Sequence, residues 1–390
     1  MFYGENVKVL RMLYGMSRRE LGKHLSVSEQ AIGQYENSEI FPEMTKILKL
    51  SKIFNVKSQF FLTKSSIDVV TNENSIAYRS NDRDSRKSVR EGAMQINFAD
   101  TIIHYCESFF DLNTSVLLNI VYSGKKIALN SKLNRDEIID QIANMTRKSL
   151  GAFNNKDLLF FIENAGAYVI EKELDSKTDA YSVWTRNSDG TLRSAFIVLG
   201  SNNKTAVRRI FDVAHELGHL ILHSDIDFNE LEKDDFRRLE HEANEFASSF
   251  LLPSSIMPGL IQTVQKKSVP EAYVPIKEEY YVSLVTIEYR AFKMGLISKD
   301  DNKRFFANRY RKHYTTFEPL DDELIIKKPG KIEALFKLVN SKIMPLEQLL
   351  DDFHIDPYFL TKVFSLPNKF VMSMISVNDD YKYKIHNLNS

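Results

Sequence analysis

The sequence predicts a mainly helical α+β protein. It should open with five short helices, continue into a region where helices flank a small antiparallel sheet, and end in a helical C-terminal region. Three observations carry this reading. Apolar residues recur at helical spacing before residue 62, punctuated by Gly15, by Ser26-Val27-Ser28 and by Pro42. Between residues 167 and 199 the pattern shifts to strands: Ala167-Tyr168-Val169-Ile170-Glu171, then Ala180 to Thr185, then Ser194-Ala195-Phe196-Ile197-Val198-Leu199. Two longer helical stretches follow, and they carry the residues with chemistry.

The N-terminal helices run from about Asn6 to Tyr14, from Ser17 to Leu25, from Glu29 to Glu36, through Ile47 to Phe54, and over 57–62. Ser17 with Glu20 three residues on is a capping box. Residues 63–74 are polar and read as a linker, 76–80 as a short extended segment, and the charged run from Asp82 as the solvated start of a helix reaching Phe110. Asn134 and Glu137 form a second capping pair, opening a helix to Leu150. Asn187-Ser188-Asp189-Gly190 is a turn between two strands. These segments divide the chain at 1–64, 65–130, 131–315 and 316–390. No internal repeat and no low-complexity tract stands out.

Lys and Arg balance Asp and Glu at 52 each, so the chain as a whole is no polycation. Before Ser65, however, ten Lys/Arg stand against six Asp/Glu. A single cysteine, Cys106, excludes an internal disulfide framework and fits a reducing cytoplasm. No apolar run reaches the roughly eighteen residues that span a bilayer, and the first residues are not a signal peptide. A cytoplasmic protein without membrane partners is expected.

The first chemistry-bearing stretch is Phe211-Asp212-Val213-Ala214-His215-Glu216-Leu217-Gly218-His219-Leu220. His215 and His219 are four apart, so on a helix they share one face and can reach one metal ion. Glu216 beside them can serve as a general base. Gly218, mid-helix, costs about 1 kcal/mol against alanine, which a close approach by the metal, a substrate or another backbone would explain. His223 cannot join His215 as a ligand, because eight helical residues span about 12 Å; it supports a ligand from behind, faces a substrate, or is a polar helix end. Arg208 and Arg209 either bind a substrate carboxylate or, the preferred reading, solvate the helix start. In the second stretch, Leu239 to Pro253, Glu240 can supply a third ligand, and Asn244, one turn later, can orient a ligand. Tyr181, His223 and His241 are candidates to stabilise an oxyanion.

These two stretches resemble the ImmA/IrrE metallopeptidases, which carry HExxH followed by ExxA(N/D)xFA and LL(M)P. The resemblance implies a zincin-like domain in which His215, His219 and Glu240 hold one zinc ion and Glu216 acts as general base. These ligands would also accept manganese or iron. At the N-terminus, Ser17-Arg18-Arg19-Glu20-Leu21-Gly22, Val27 to Asn37 and Pro42 resemble the XRE-type (Cro/cI-like) helix-turn-helix. That likeness implies binding of double-stranded DNA through residues 5–62, with Ser28, Glu29, Gln30, Gly33 and Gln34 facing bases and Asn37 near phosphates. Glutamine suits bidentate contact with adenine. The modest charge of this segment admits a homodimer.

Together the two resemblances imply a DNA-binding regulatory zinc metallopeptidase that cuts a specific protein, a repressor or regulator of a mobile element or stress response. Two alternatives stay open. One is a transcription regulator whose peptidase fold only senses a metal or partner. The other is the toxin or defence component of a two-gene system.

Overall fold

The computed structural model describes residues 1–64, 67–72, 83–110, 115–174, 179–202, 205–227 and 231–375. The extended segment expected at 76–80 lies outside them. The chain forms two compact units that do not follow its order. Among the described residues no helix is long and apolar enough to cross a membrane.

The first unit opens with α1 (Gly4–Leu13), α2 (Arg18–Leu25), α3 (Glu29–Glu36) and α4 (Met44–Phe54). A 3-10 turn at Ser58–Phe61 stands where a fifth helix is expected, and the long α5 (Arg83–Glu107) follows. Both halves of the Ser17–Glu20 capping box form. Gly22 makes the turn into α3 possible: a Cβ there would lie 2.8 Å from the carbonyl oxygen of Val27. Ser28 caps α3 by accepting the Ala31 N–H at 3.1 Å. Glu36 is buried at the end of α3 and binds two helices at once, meeting Arg11 Nε at 2.5 Å and Arg18 Nε at 2.8 Å.

The second unit contains α6 (Val116–Asn130), α7 (Arg135–Ser149), α8 (Leu158–Asn164), β1 (Ala167–Lys172), β2 (Ala180–Arg186), β3 (Leu192–Gly200), α9 (Ala206–Leu222), α10 (Lys233–Leu251), α11 (Met257–Thr263), α12 (Val274–Tyr280), α13 (Leu284–Lys293) and α14 (Lys299–Arg311). The capping pair at Asn134 and Glu137 forms as expected. One core runs from Leu117 and Ile139 through Ile197 and Leu217 to Phe250 and Ile287.

The sheet is mixed rather than antiparallel. Its order is β1-β3-β2, with β3 parallel to β1 and antiparallel to β2. The β2–β3 hairpin follows from the tight turn at Asn187-Ser188-Asp189-Gly190, where Gly190 takes φ +82°. β1 does not pair with its sequence neighbour β2. β3 inserts between them, which leaves β2 as an edge strand. Strand patterns reveal where strands lie but not which neighbour they choose.

The chain then returns to the first unit as α15 (Lys331–Lys342), α16 (Leu346–Asp352), α17 (Pro357–Phe364) and α18 (Asn368–Ser373). The boundaries expected at 65–130 and 316–390 therefore cut across the compact units: α5 belongs to the first and α6 to the second, and residues 316–331 stay with the second. Within the first unit, Phe98 of α5 meets Phe359 of α17 at 5.2 Å. The Gln95 amide donates to the Val363 carbonyl at 2.7 Å, and Lys362 pairs with Glu91 at 2.8 Å.

The Glu36 cluster yields a stability prediction. Removing one partner of a buried ion pair typically costs about 3–5 kcal/mol, reduced here because the Arg18 side chain is 42% exposed and can rehydrate. Glu36→Ala should lose about 2–4 kcal/mol in urea unfolding of the first unit. A loss below about 0.5 kcal/mol, the range of ordinary surface changes, would remove the cluster as a tie between α1, α2 and α3.

Candidate metal centre

α9 starts at Thr205, whose hydroxyl caps the helix by accepting the Arg208 N–H. Its apolar face enters the core through Ile210, Val213, Ala214 and Leu217. That orientation leaves His215, Glu216 and His219 along the boundary between core and cleft. α10 lies against α9, and Gly218 explains how closely. A Cβ on Gly218 would lie 3.0 Å from Phe246 Cδ1 and 3.2 Å from Phe246 Cβ, so the missing side chain is the space that the Phe246 ring fills. What comes close is the Phe246 side chain of α10, where the glycine had suggested a metal, a substrate or another backbone.

That approach brings Glu240, one face of α10, up to the two histidines. His215 Nε2 and His219 Nε2 are 3.1 Å apart, and Glu240 lies 3.8 Å from the first and 3.3 Å from the second. An ion about 2.0–2.1 Å from each donor in tetrahedral geometry separates its ligands by about 3.3 Å. The donor set thus fits a zinc-type ion. Two basic nitrogens turned towards each other beside a carboxylate are also an arrangement that a cation satisfies. Burial first, and then His219 beside it, push His215 down to about 4, which keeps the imidazole neutral and its lone pair available.

The outer partners are as ordered as the ligands. Asn244 Oδ1 sits 3.0 Å from His215 Nδ1, so the ring presents Nε2 to the centre. His223 lies behind His219, with the two Nδ1 atoms 3.0 Å apart, and its Nε2 is 3.2 Å from Glu242. Glu242 in turn pairs with Arg135 of α7. Burial opposes the charge on Glu242, but hydrogen bonds from His223 and Arg135 prevail and hold it at about 2. His223 is buried behind His219 and outside the cavity lining, so it is neither a solvated helix end nor a group on the cavity wall. Ser182 of β2 donates to Glu216 Oε2 at 2.7 Å and fixes that carboxylate. Sequence reading missed Ser182, Glu242 and Arg135. Only the strand alternation that turns Ser182 and Trp184 towards α9, where Trp184 donates to the Leu220 carbonyl at 2.8 Å, could have hinted at the first.

The centre forms one wall of a cavity of about 400 Å³. Residues 180–182 of the edge strand β2 line a second wall, and Arg309, Thr315 and Thr316 another. Of the oxyanion candidates, Tyr181 lines this cavity. His241 is exposed and outside the lining, because one residue beyond Glu240 turns its side chain by about 100° around the helix. His223 is buried behind His219. Several acids of the wall are neutralised internally. Asp179 pairs with Arg208 at 3.2 Å, and Glu318 and Asp321 pair with the fully buried Lys277 at 3.0 and 2.5 Å. Arg209 does not solvate the helix start: it is buried and meets Glu171 at 2.9 Å. Arg309 donates from Nη2 to the Thr315 carbonyl, and its buried Nε has no hydrogen-bond partner.

In the first unit, Ser28, Glu29, Gln30 and Asn37 are exposed, while Gly33 and Gln34 are half-buried. The Ser28 hydroxyl is committed to its cap, and Asn37 donates to Glu39 at 2.9 Å. Gln30 and Gln34 lie one turn apart on α3.

Comparison with known proteins assigns both regions. Residues 162–292 match the peptidase family model described as the IrrE N-terminal-like domain, and residues 7–61 match the Helix-turn-helix model. The chain joins a helix-turn-helix domain to an IrrE N-terminal-like domain. It is similar to the HTH-type transcriptional regulator ImmR of Bacillus subtilis (strain 168), with 24% identity over 119 residues, which is 30% of this chain and 86% of that protein. The zincin-like reading and the metal triad lie inside the first matched range.

Ion affinity should depend on both shells. Glu240→Ala removes one of three donors, and metal analysis of the purified variant should find far below the about one ion per chain expected of the intact site. His223→Phe leaves all three donors in place and should weaken zinc binding by about 10–100-fold in a competition titration. Unchanged affinity in His223→Phe would show that His219 needs no support from behind.

Proposed function

We propose that this chain is a DNA-binding regulatory metallopeptidase that hydrolyses a peptide bond in a specific protein, a transcriptional repressor or regulator. The observation that carries this reading is the convergence of the His215, His219 and Glu240 donor atoms within 4.8 Å of one another on the wall of a cavity bordered by an edge strand. Zinc is the expected ion, and manganese or iron suit the same donors.

When bound, the ion supplies Lewis acidity, polarising a carbonyl oxygen and acidifying water. The remaining work falls to side chains. Glu216, its carboxylate fixed by Ser182, takes a proton from the attacking water and delivers it to the leaving amine. Of the three candidates, Tyr181, which lines the cavity, would donate to the developing oxyanion. An extended substrate segment can add to the outer edge of β2 through main-chain hydrogen bonds. Arg309, which lines the same cavity, would meet a substrate carbonyl or carboxylate through its guanidinium.

The helix-turn-helix domain would carry this activity to an operator. Gln30 is the exposed glutamine near the start of α3, where a recognition helix meets base edges. A second reading keeps DNA binding but gives the peptidase fold only a sensing role; the similarity to a protein named as a transcriptional regulator favours it.

One variant separates the two. Glu216→Gln should fold and retain its ion but cleave about 10²–10⁴-fold more slowly. The assay incubates the purified chain with proteins encoded beside it, with and without a chelator. Chelator-sensitive cleavage that survives Glu216→Gln at the wild-type rate would overturn the role of Glu216. Absence of any cleavage by an ion-loaded chain would favour the sensor.

For the DNA arm, a selection on random duplexes with the full chain should enrich a preferred sequence. Gln30→Ala should then relax one base position by about 1–3 kcal/mol. Lys23→Ala should weaken all sequences alike and flatten the salt slope. If no sequence is enriched, recognition by α3 is refuted.

A further inference from the structure

The first unit contains a short copy of itself that sequence inspection does not reveal. α4 and α16 end in the same way. Ile47, Leu50 and Phe54 of the first correspond to Leu346 and Leu349 of the second and to Phe353, which caps it. Asn55 and His354 follow, and both take the left-handed conformation with φ 53°. Left-handed backbone is uncommon for residues other than glycine, and costs about 1–2 kcal/mol without a specific reason. Val56 and Ile355 come next, and then a short helical turn carrying Phe60-Phe61 or Phe359-Leu360. Ile47, Leu50, Val56, Phe60 and Phe61 are buried, and so are their counterparts Leu346, Leu349, Ile355, Phe359 and Leu360.

The two copies meet each other. Val56 and Ile355 form an antiparallel β-bridge. Lys57 N–H donates to the His354 carbonyl at 2.8 Å, and Asp356 N–H donates to the Asn55 carbonyl at 2.9 Å. Equivalent residues therefore exchange equivalent hydrogen bonds. In an oligomer this reciprocity is the mark of a two-fold interface, where the same patch serves both partners. Here it occurs inside one chain. The left-handed residues have their reason as well: each turns the chain out of its helix so that the next residue can pair.

We infer that residues 55–57 are a self-complementary pairing edge of the helix-turn-helix domain, and that the chain's own partial copy at 354–356 occupies it in place of a second molecule. The occupancy follows from concentration. Even an effective concentration of about 0.1 mM, below the millimolar range of short linkers, exceeds a micromolar free chain by about 10²-fold. At this edge the domain is presented to DNA as one copy per chain. The copy pays for its place with side-chain contacts as well, since Lys57 pairs with Asp351.

Cysteine pairing in the full chain tests this. Residues 56 and 355 are a non-hydrogen-bonded antiparallel pair, whose Cα atoms lie about 4.5 Å apart, within the range that a disulfide bridges. The native Cys106 does not compete, because burial pushes its thiol up to about 12. Under mild oxidation, Val56→Cys/Ile355→Cys should form a bond within one chain, seen as a monomer on a non-reducing gel with peptides around 56 and 355 linked in mass spectrometry. Val56→Cys alone should give no covalent dimer. Asp356→Pro removes the N–H that bonds Asn55, and Ile355→Asp puts a charge against Val56. Either one combined with Val56→Cys should free the edge and produce a covalent dimer through residue 56, with the helical signal in circular dichroism retained. A dimer from Val56→Cys alone would overturn the occupancy. Failure of the double variant to close within the chain would overturn the pairing. Absence of a dimer from both opened variants, folded by circular dichroism, would overturn self-complementarity.

Discussion

How closely α9 and α10 approach decides whether the candidate metal centre can form at all. Two histidines on one helix define a direction but only two donors, and the third must come from a separate helix at a fixed distance. Phe246 sits in the space a side chain on Gly218 would take, and that contact draws the helices together beside His219 and about one turn from His215. Glu240 and Asn244 then reach the two rings without any loop having to place them. The helix-propensity loss of about 1 kcal/mol at a mid-helix glycine is small beside the cost of a ligand held at the wrong distance. Both ligand-bearing helices are also locked into one core with the sheet, which is how a site is held to a fraction of an ångström.

Much of this centre was legible in the sequence, because its ligands obey helical periodicity. The four-residue spacing of His215 and His219, and of Glu240 and Asn244, follows from local geometry alone. The supporting set was not legible. His223 leans on Glu242, Glu242 on Arg135, and Glu216 on Ser182, and these partners come from α10, α7 and β2. No spacing rule connects residues whose nearness depends on how helices and a sheet pack. Arg309 was hidden for the same reason: it sits in the last turn of the polar helix α14, with nothing in its neighbourhood to mark it as part of a cavity wall.

The fold shows the same division. Caps and turns at Ser17, Ser28, Asn134 and Gly190 were readable one by one, since each acts within a few residues. Pairing and grouping were not. β3 inserts between β1 and β2, and α15–α18 join the N-terminal helices across the whole second unit. Linear boundaries presume that neighbours in sequence are neighbours in space, which holds for most connections but not for a chain that comes back. The partial copy escaped notice because its matches are of residue class, such as Val56 with Ile355 or Phe61 with Leu360. Only the reciprocal hydrogen bonds make the correspondence physical.

Charge counting has a similar limit. By sequence, Glu36 is an acidic residue at the end of α3, the helix expected to face DNA. Its side chain is fully buried between Arg11 and Arg18, so it presents no carboxylate to a ligand. The cluster keeps a net positive charge, because two guanidinium groups share one carboxylate. Arg11 is nearly buried, whereas the Arg18 side chain is 42% exposed. A Cβ on Gly33 would lie 3.7 Å from the Arg18 guanidinium, which locates this exposed charge beside α3. An ion cluster that binds three helices together thus leaves its surplus positive charge next to the helix assigned to the groove. The constraint that holds the module together and the electrostatics suited to a phosphate backbone come from the same three side chains.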